Sequence, residues 1–100
     1  MNPVEFLQSW YQAQANAEWE RVHGVTIETL ETPGWMVTID LAGTTLNGRT
    51  MAPVQDEYSA GDWLLCDVEH NQFCGQGDPQ KLLVILEIFQ RWATEAAKLE

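Results

Sequence analysis

Basic residues are scarce in this chain, which has five Lys and Arg against fifteen Asp and Glu and a formal charge of −10. Such a chain would repel the phosphates of nucleic acids and of anionic lipid head groups, so direct binding to nucleic acid or to a membrane is disfavoured. A basic protein partner is compatible with this charge. The acidic balance is also a common solubility device, and composition alone leaves both readings open.

Long apolar runs are also absent. No run reaches the roughly 18 residues that cross a bilayer. The N-terminal segment MNPVEFLQSW has neither the basic region nor the apolar region of a secretory signal, so we expect a cytoplasmic protein. Hydrophobic residues make up 45% of the chain and five residues are tryptophan, a composition that indicates one globular domain over residues 1–100.

Cysteine occurs only at positions 66 and 74, which is too few for a disulfide scaffold. Cys66, His70 and Cys74 form a Cys-x3-His-x3-Cys pattern, and His23 could be imagined as a fourth zinc ligand. Structural zinc sites usually present pairs of ligands at tighter spacing, so we expect no metal. In a reducing cytosol both cysteines should stay thiols, and pairing under oxidation is left open.

Signatures of catalysis are missing as well. The sequence has no Gly-x-Ser-x-Gly motif and no glycine-rich loop that opens a helix after a strand. Gly75 and Gly77 in QFCGQGDP are better explained by a turn from strand to helix, with Asp78 as the helix N-cap. We therefore expect no enzyme activity and no cofactor.

Both ends of the chain are predicted to be helical. Asn2 as N-cap, Pro3 at the first helical position and Glu5 placed to reach back to the cap predict a helix that runs to about Glu20, before Gly24. Asp78-Pro79 repeats this chemistry before a second helix, whose apolar residues have helical spacing: Leu82, Ile85, Leu86, Phe89, Ala93 and Ala96.

In the middle of the chain, apolar and polar residues alternate with a period of two, which predicts β-strands. A first strand begins at Val25, and a type II turn at residues 32–35, with Pro33 and Gly34 at its centre, leads into a second strand. Asn47-Gly48 predicts a hairpin into a third strand over residues 49–58.

Pro53 should place that third strand at an edge, or mark a bulge or break in it. A fourth strand over residues 63–69 and a turn near His70-Asn71 lead to a short fifth strand. This order predicts an α+β fold, an antiparallel four- to five-stranded meander sheet with an N-terminal and a C-terminal helix packed on one face.

The alternation also sorts the strand residues into two faces. The apolar set that should face the helices is Val25, Ile27, Trp35, Val37, Ile39, Leu64, Cys66 and Val68. Glu28, Asp40, Asp67 and Glu69 share the opposite face with Trp63, Leu65 and Leu30. This face is either a solvated surface or a binding surface, in which apolar anchors lie among charges that select a basic partner. The other large aromatics are expected in the core: Trp10, Trp19, Trp35, Phe89 and Trp92.

Scattered aromatic, glycine and proline positions resemble those of a known family. They include W-Y-x-x-Q at residues 10–14, W-E at residues 19–20 followed by Gly24, and I-E-T-L-x-x-P-G-W at residues 27–35. The C-terminal positions that agree are Trp63, Cys66, Val68, Phe73, Gly75, Gly77, Pro79, Leu86, Phe89 and Trp92. This pattern resembles the immunity protein 53 family of bacterial polymorphic toxin systems. Thr32 and Arg21 stand where that family often has Asn and His.

The resemblance implies a small α+β cytoplasmic protein that binds and neutralises a cognate toxin domain without catalysis. An acidic surface suits a basic toxin, a nuclease being one case, because the surface can compete for a phosphate-binding groove. The residues expected to contact the toxin are Glu28, Asp40, Trp63, Asp67 and Glu69, with Glu20 at the rim. Two alternatives remain: a scaffold or regulatory subunit that uses the same face, and a small enzyme or metal-binding domain that uses His70, Cys66 and Cys74.

Overall fold

The computed structural model describes residues 1–22 and 24–98, and within them it shows an open five-stranded antiparallel sheet with an N-terminal and a C-terminal helix. The α+β prediction is therefore confirmed. The helices are α1 (Pro3–Gln14), the short α2 (Trp19–Val22) and α3 (Leu82–Ala97). The strands are β1 (Val25–Leu30), β2 (Gly34–Asp40), β3 (Val54–Ser59), β4 (Asp62–Glu69) and β5 (Gln72–Gly77). None of the described helices has the length and apolar content of a membrane span.

The strand order is β1-β2-β5-β4-β3, so the predicted meander is wrong at one connection: β2 pairs with β5 and not with β3. Gly48 has a positive φ of 76°, but Asn47 does not, and Asn47-Gly48 forms no hairpin. The segment from 41 to 53 packs on the core instead, because Leu46 is 3% exposed and the Trp92 indole donates to the Thr50 carbonyl (2.9 Å). Pro53 directly precedes β3, which is an edge strand, as predicted.

The turn that was predicted near His70-Asn71 does form, and it connects β4 and β5 as a hairpin. His70 and Asn71 both have positive φ angles, 52° and 60°. Two consecutive residues in this conformation give a turn whose twist matches that of the flanking strands. The Asn71 side chain also ties this turn to the 41–53 segment, because it donates to Asn47 Oδ1 (2.8 Å) and accepts from the Gly48 N–H (2.9 Å).

Helix α1 begins as predicted, with both hydrogen bonds of the Asn2/Glu5 capping box present, but it ends at Gln14 and not near Glu20. Ala17 has a positive φ of 73°, which a continuing helix excludes. The Asn16 side chain accepts from the Trp19 N–H (2.9 Å), and the Glu20 carboxylate accepts from the N–H groups of Asn16 and Ala17 (2.9 Å each). These side chains compete with the helical hydrogen bonds and start a new helix, α2.

The turn before α2 positions Trp19 in the core. Trp19 is 3% exposed, and its indole N–H donates to the Asp40 carbonyl at the end of β2 (3.1 Å). The Trp19 ring also meets Trp10 edge to face, with centroids 5.6 Å apart. Trp10 in turn packs on Phe89 of α3, which confirms that Trp10, Trp19 and Phe89 are core residues.

Helix α3 packs on one face of the sheet, against β5, β2 and β4. The edge strand β1 lies beyond its reach, so Ile27 is 43% exposed although the register places it on the same side as the buried Val37. The prediction that Ile27 is buried is therefore wrong. Helix α3 begins at Leu82, three residues later than the Asp78-Pro79 signal predicts, and Asp78 does not cap it.

Gly75 on β5 allows α3 to approach the sheet closely. A Cβ at this position would collide with Ile85 Cγ2 of α3 and would also crowd Cys66 Sγ (3.4 Å). Both neighbours are fully buried, so neither side chain can move into solvent. The contact between α3 and β5 therefore depends on the missing side chain.

We expect Gly75→Ala to lower the free energy of unfolding by about 1–3 kcal/mol, because the added methyl overpacks the helix–sheet interface. Gly61→Ala is the matched control, since no atom lies within 4 Å of a Cβ built there. Urea unfolding followed by tryptophan fluorescence measures both variants. Equal midpoints for the two variants would contradict this account of Gly75.

Candidate functional site

The sheet face opposite α3 carries most of the predicted contact residues. The strand register forms three rows across the sheet, in which each residue neighbours the next: Asp40, Gln72 and Glu69; Thr38, Cys74 and Asp67; and Glu28, Met36, Gln76 and Leu65. We call this surface the open face: Thr26, Glu28, Leu30, Met36, Thr38, Asp40, Gln55, Glu57, Trp63, Leu65, Asp67, Glu69, Gln72, Cys74 and Gln76. The structure therefore brings Glu28, Asp40, Trp63, Asp67 and Glu69 onto one face.

These residues differ in how far they reach solvent. Glu28 and Glu69 are exposed, and Asp67 and Trp63 are half-buried. Asp40 is only 9% exposed, and its Oδ1 accepts from the Ala42 N–H (2.8 Å), so this carboxylate helps to form the turn after β2. Of the four acids predicted on this face, a partner can therefore reach Glu28, Asp67 and Glu69, whereas Asp40 is buried.

Glu20 lies on α2 and not on the sheet. Its carboxylate accepts the two backbone hydrogen bonds of the turn before α2, at Asn16 and Ala17. Hydrogen bonds from backbone N–H groups, its own first and then that of Ala17, lower the pKa of Glu20. Glu20 therefore caps and stabilises the α1–α2 junction.

The charged residues of the described strands are all acidic. The strands contain seven Asp and Glu residues and, across all five described strands, no Lys, Arg or His. The Lys and Arg residues of the chain lie in helices and loops: Arg21, Arg49, Lys81, Arg91 and Lys98. The five described strands therefore contribute carboxylates and no cation to the open face.

One end of the open face contains a groove of about 860 Å³. Its walls are residues 30–32 of the β1–β2 connection, residues 57–60 of the β3–β4 connection, Trp63 and Gln76. We call it the end groove. It combines apolar side chains, among them Leu30 and Trp63, with the carboxylates of Glu31 and Glu57. Sequence reasoning placed Leu30 and Trp63 on this face but missed Glu31, Glu57 and Tyr58.

Tyr58 lines the end groove because of a bulge in β3. Glu57 pairs with Trp63 and Ser59 pairs with Asp62, which leaves Tyr58 as the extra residue between them. A bulge of this kind turns the side chain of the extra residue away from the regular alternation. Tyr58 is 75% exposed, so it offers a large aromatic surface at the rim of the end groove. The alternation of the sequence gives no signal for this bulge.

Trp63 lies across the end of the sheet because Gly34 leaves room for it. A Cβ at Gly34 would lie 3.4 Å from Trp63 Cζ2 and would collide with the Gly77 carbonyl. Gly34 does not have a positive φ, so the predicted type II turn is wrong. It is the first residue of β2 and pairs with Leu30. Glycine is required at this position because the Gly77 carbonyl approaches its Cα closely, and not for a left-handed turn.

The backbone of Trp63 is held by Asp78, which is fully buried. The Trp63 N–H donates to Asp78 Oδ2 (2.9 Å), and the Trp63 carbonyl accepts from the Asp78 N–H (3.2 Å). Asp78 Oδ1 accepts from the Gln80 N–H (2.8 Å). Asp78 therefore connects the start of β4 with the turn before α3.

Lys81 completes this cluster. Its Nζ lies 2.6 Å from Asp78 Oδ2 and 2.8 Å from Asp62 Oδ1. The hydrogen bond from Lys81 lowers the pKa of Asp78 to about 2, and the hydrogen bonds to Asp62 and then to Asp78 raise the pKa of Lys81. Two carboxylates share this one ammonium group, so the surroundings of Trp63 keep a negative charge.

A second, smaller depression of about 310 Å³ lies on the open face beside the end groove. Leu65, Asp67, Glu69 and Cys74 are among its lining residues, and Gln76 lines both depressions. The accessible acids of β4 and the end groove therefore belong to one continuous surface.

The cysteines do not supply an alternative site. Cys66 pairs with Gly75 and Cys74 pairs with Asp67, so Cys66 points to the core and Cys74 to the open face. Side chains on opposite faces of a sheet cannot form a disulfide without movement of the backbone. Burial raises the pKa of the Cys66 thiol to about 12. Among the described residues no group of three or more His, Cys, Asp or Glu could hold a metal ion; His23 lies outside the described residues.

Comparison with known proteins assigns the family. Neither the curated proteins nor the solved structures include a significant match to this chain. The family model of immunity protein 53 matches residues 4–94, which covers every strand of the sheet and most of α1 and α3. This chain therefore belongs to the immunity protein 53 family.

Proposed function

We propose that this protein binds a cognate toxin domain through the open face and neutralises it by occupancy, without catalysis, in the cytoplasm of the cell that it protects. Membership of the immunity protein 53 family implies a toxin partner. Neutralisation by occupancy requires a surface that covers the active site of the toxin or a region next to it. It requires no reacting group on the immunity protein.

One observation carries the choice of surface: five of the seven strand carboxylates lie on the open face together with Trp63 and Leu65, and the described strands hold no cation. Carboxylates at the edge of an interface accelerate association with a basic protein and select against acidic ones. Aromatic side chains at its centre supply most of the binding energy. Glu28, Asp67 and Glu69 fit the first role and Trp63 fits the second.

The same charge indicates the class of toxin. A nuclease needs a basic groove to hold the phosphates of its substrate. An acidic protein surface is complementary to such a groove and competes with nucleic acid for it. A basic nuclease is therefore the toxin that fits the open face best.

Co-expression with the toxin encoded beside this gene tests the proposal. We expect the protein to restore growth, to bind the purified toxin and to inhibit its activity in proportion to the fraction bound. We also expect the affinity to fall steeply as salt is raised from 50 to 500 mM, because screening weakens charge complementarity. Restored growth without a physical complex would contradict neutralisation by occupancy, and salt-independent binding would contradict the acidic surface.

A further inference from the structure

We infer that the end groove takes an arginine side chain of the protein partner, which stacks on Trp63 and pairs with Glu31 and Glu57. This inference rests on the proposed function, because it names the anchor within the same surface. Four features support this inference: the charges that line the groove, the pairing of the nearby Lys81 with other carboxylates, the fixed backbone of Trp63, and the volume of the groove.

The lining charges are of one sign. Glu31 lies on the wall formed by the β1–β2 connection, and Glu57 lies on the opposite wall, on β3. The described residues that line the groove include no Lys, Arg or His. A cation that enters the groove therefore lies in a site whose lining charges are both negative and whose lining also includes the Trp63 indole. Attraction to the face of an aromatic ring adds to the attraction between the charges.

The carboxylates of the groove are not already neutralised. Lys81 is the cation next to Trp63, and its ammonium group contacts Asp62 (2.8 Å) and Asp78 (2.6 Å). Glu57 accepts from the neutral Gln55 amide (3.1 Å), and within the described residues neither Glu57 nor Glu31 pairs with a cation.

Trp63 forms a rigid platform. Both backbone polar groups of Trp63 bond to the buried Asp78, at 2.9 and 3.2 Å, and the indole lies in the space left by Gly34. An anchor that is ordered before binding costs little entropy when the partner arrives. This arrangement favours arginine over lysine, because the planar guanidinium stacks on an aromatic ring and is more weakly hydrated than an ammonium group.

The size of the groove indicates how the arginine is presented. Its volume of about 860 Å³ exceeds that of one side chain. Leu30 and the exposed Tyr58 add apolar surface beside the charged walls. The matching partner element is a loop that carries the arginine next to an apolar residue.

A small probe tests the groove without the toxin. N-acetyl-arginine amide is titrated into ¹⁵N-labelled protein, with N-acetyl-citrulline amide as its neutral isostere. We expect saturable shifts of the Trp63 indole N–H, assigned with Trp63→Phe, and of the amides of residues 30–32 and 57–60, at a roughly millimolar Kd for so small a ligand. The absence of shifts, or equal shifts with citrulline, would overturn the inference.

Toxin binding supplies the second test. Glu31→Gln with Glu57→Gln should weaken the complex by about tenfold or more, as loss of an anchor does. The exposed Glu87 and Glu95 of α3 give the matched control, Glu87→Gln with Glu95→Gln, which changes the net charge equally and should alter the affinity by less than about twofold. Tyr58→Ser removes the exposed ring and should also weaken binding.

The two tests separate the two hypotheses. If the groove variants bind the toxin as tightly as the parent while charge reversal elsewhere on the open face abolishes binding, the arginine site fails and the proposed function stands. If the arginine probe binds at the groove but the toxin does not bind the protein, the proposed function fails and the site stands. Dispersed ¹⁵N spectra of each variant confirm that it is folded.

Discussion

Reversal of the accessible charges on the open face, by Glu28→Lys, Asp67→Lys and Glu69→Lys together, is expected to abolish protection from the toxin. The triple variant places three cations opposite the basic partner that we propose. Like charges across an interface cost several kcal/mol, so the affinity should fall by at least about a thousandfold. Growth on co-expression with the toxin and the association rate of the purified proteins are the measurements.

The control changes the net charge by the same amount on another surface. Glu18, Glu87 and Glu95 are exposed and lie outside the sheet, and Glu18→Lys, Glu87→Lys and Glu95→Lys together give the same total charge. We expect this variant to protect, with an association rate reduced only through the weaker overall field. Equal loss of protection in both triple variants would show that total charge matters and that the open face does not.

Loss of the carboxylate of Asp78, in the turn between β5 and α3, is expected to cause a large loss of stability. In Asp78→Asn the buried Lys81 contact loses its charge partner, and one oxygen must serve acceptor roles that two oxygens now share. Removing one member of a buried ion pair is strongly destabilising, and a drop in Tm on the order of 10 °C at neutral pH is expected. The exposed Asp56 on β3 provides the control, Asp56→Asn, which should leave the Tm nearly unchanged.

The pKa of Asp78 determines how its contribution to stability changes with pH. The hydrogen bond from Lys81 holds the pKa of Asp78 at about 2, below its ordinary value of 3.8. A folded pKa below the unfolded one stabilises the protein fully above about pH 4, and that stabilisation is lost as the pH falls towards 2. The difference in Tm between the parent and Asp78→Asn should therefore narrow between pH 6 and pH 2.5. A constant difference over this range would contradict the charged role of Asp78.

Features that depend on neighbours in the sequence were predictable. The Asn2/Glu5 capping box needs only residues three apart, and both of its hydrogen bonds are present. The alternation of β2 and β4 sorted Val37, Ile39, Leu64 and Cys66 into the core, where all are buried. The same alternation placed the four acids on one face, because a period of two fixes both faces of a strand at once.

Features that depend on distant residues were not predictable. The partner of β2 is decided by how the apolar faces of the strands fit together, and the burial of Leu46 outweighs the local turn preference of Asn47-Gly48. The role of Gly34 becomes clear only when Gly77 and Trp63 are beside it.

The end groove could not be predicted from the sequence either, because it too depends on residues that are distant in the chain. Its two walls come from separate connections, residues 30–32 and 57–60, which meet only in the folded sheet. Tyr58 belongs to it through a bulge that alternation does not encode. Only Trp63 and Leu30 could be placed from the sequence, Trp63 by its parity with Leu65 and Asp67 on β4 and Leu30 by its parity with Glu28 on β1.

The place of β5 in the sheet constrains the synthesis of this protein. β5 lies between β2 and β4, so it joins residues far apart in the chain, such as Asp40 and Gln72. While the ribosome is still translating the C-terminal third, the β1–β2 hairpin has no partner along one edge, and contacts of such long sequence separation form slowly. A nascent or truncated chain that lacks β5 has two unconnected pieces of sheet, so the open face can be assembled only after Gly77 has been translated.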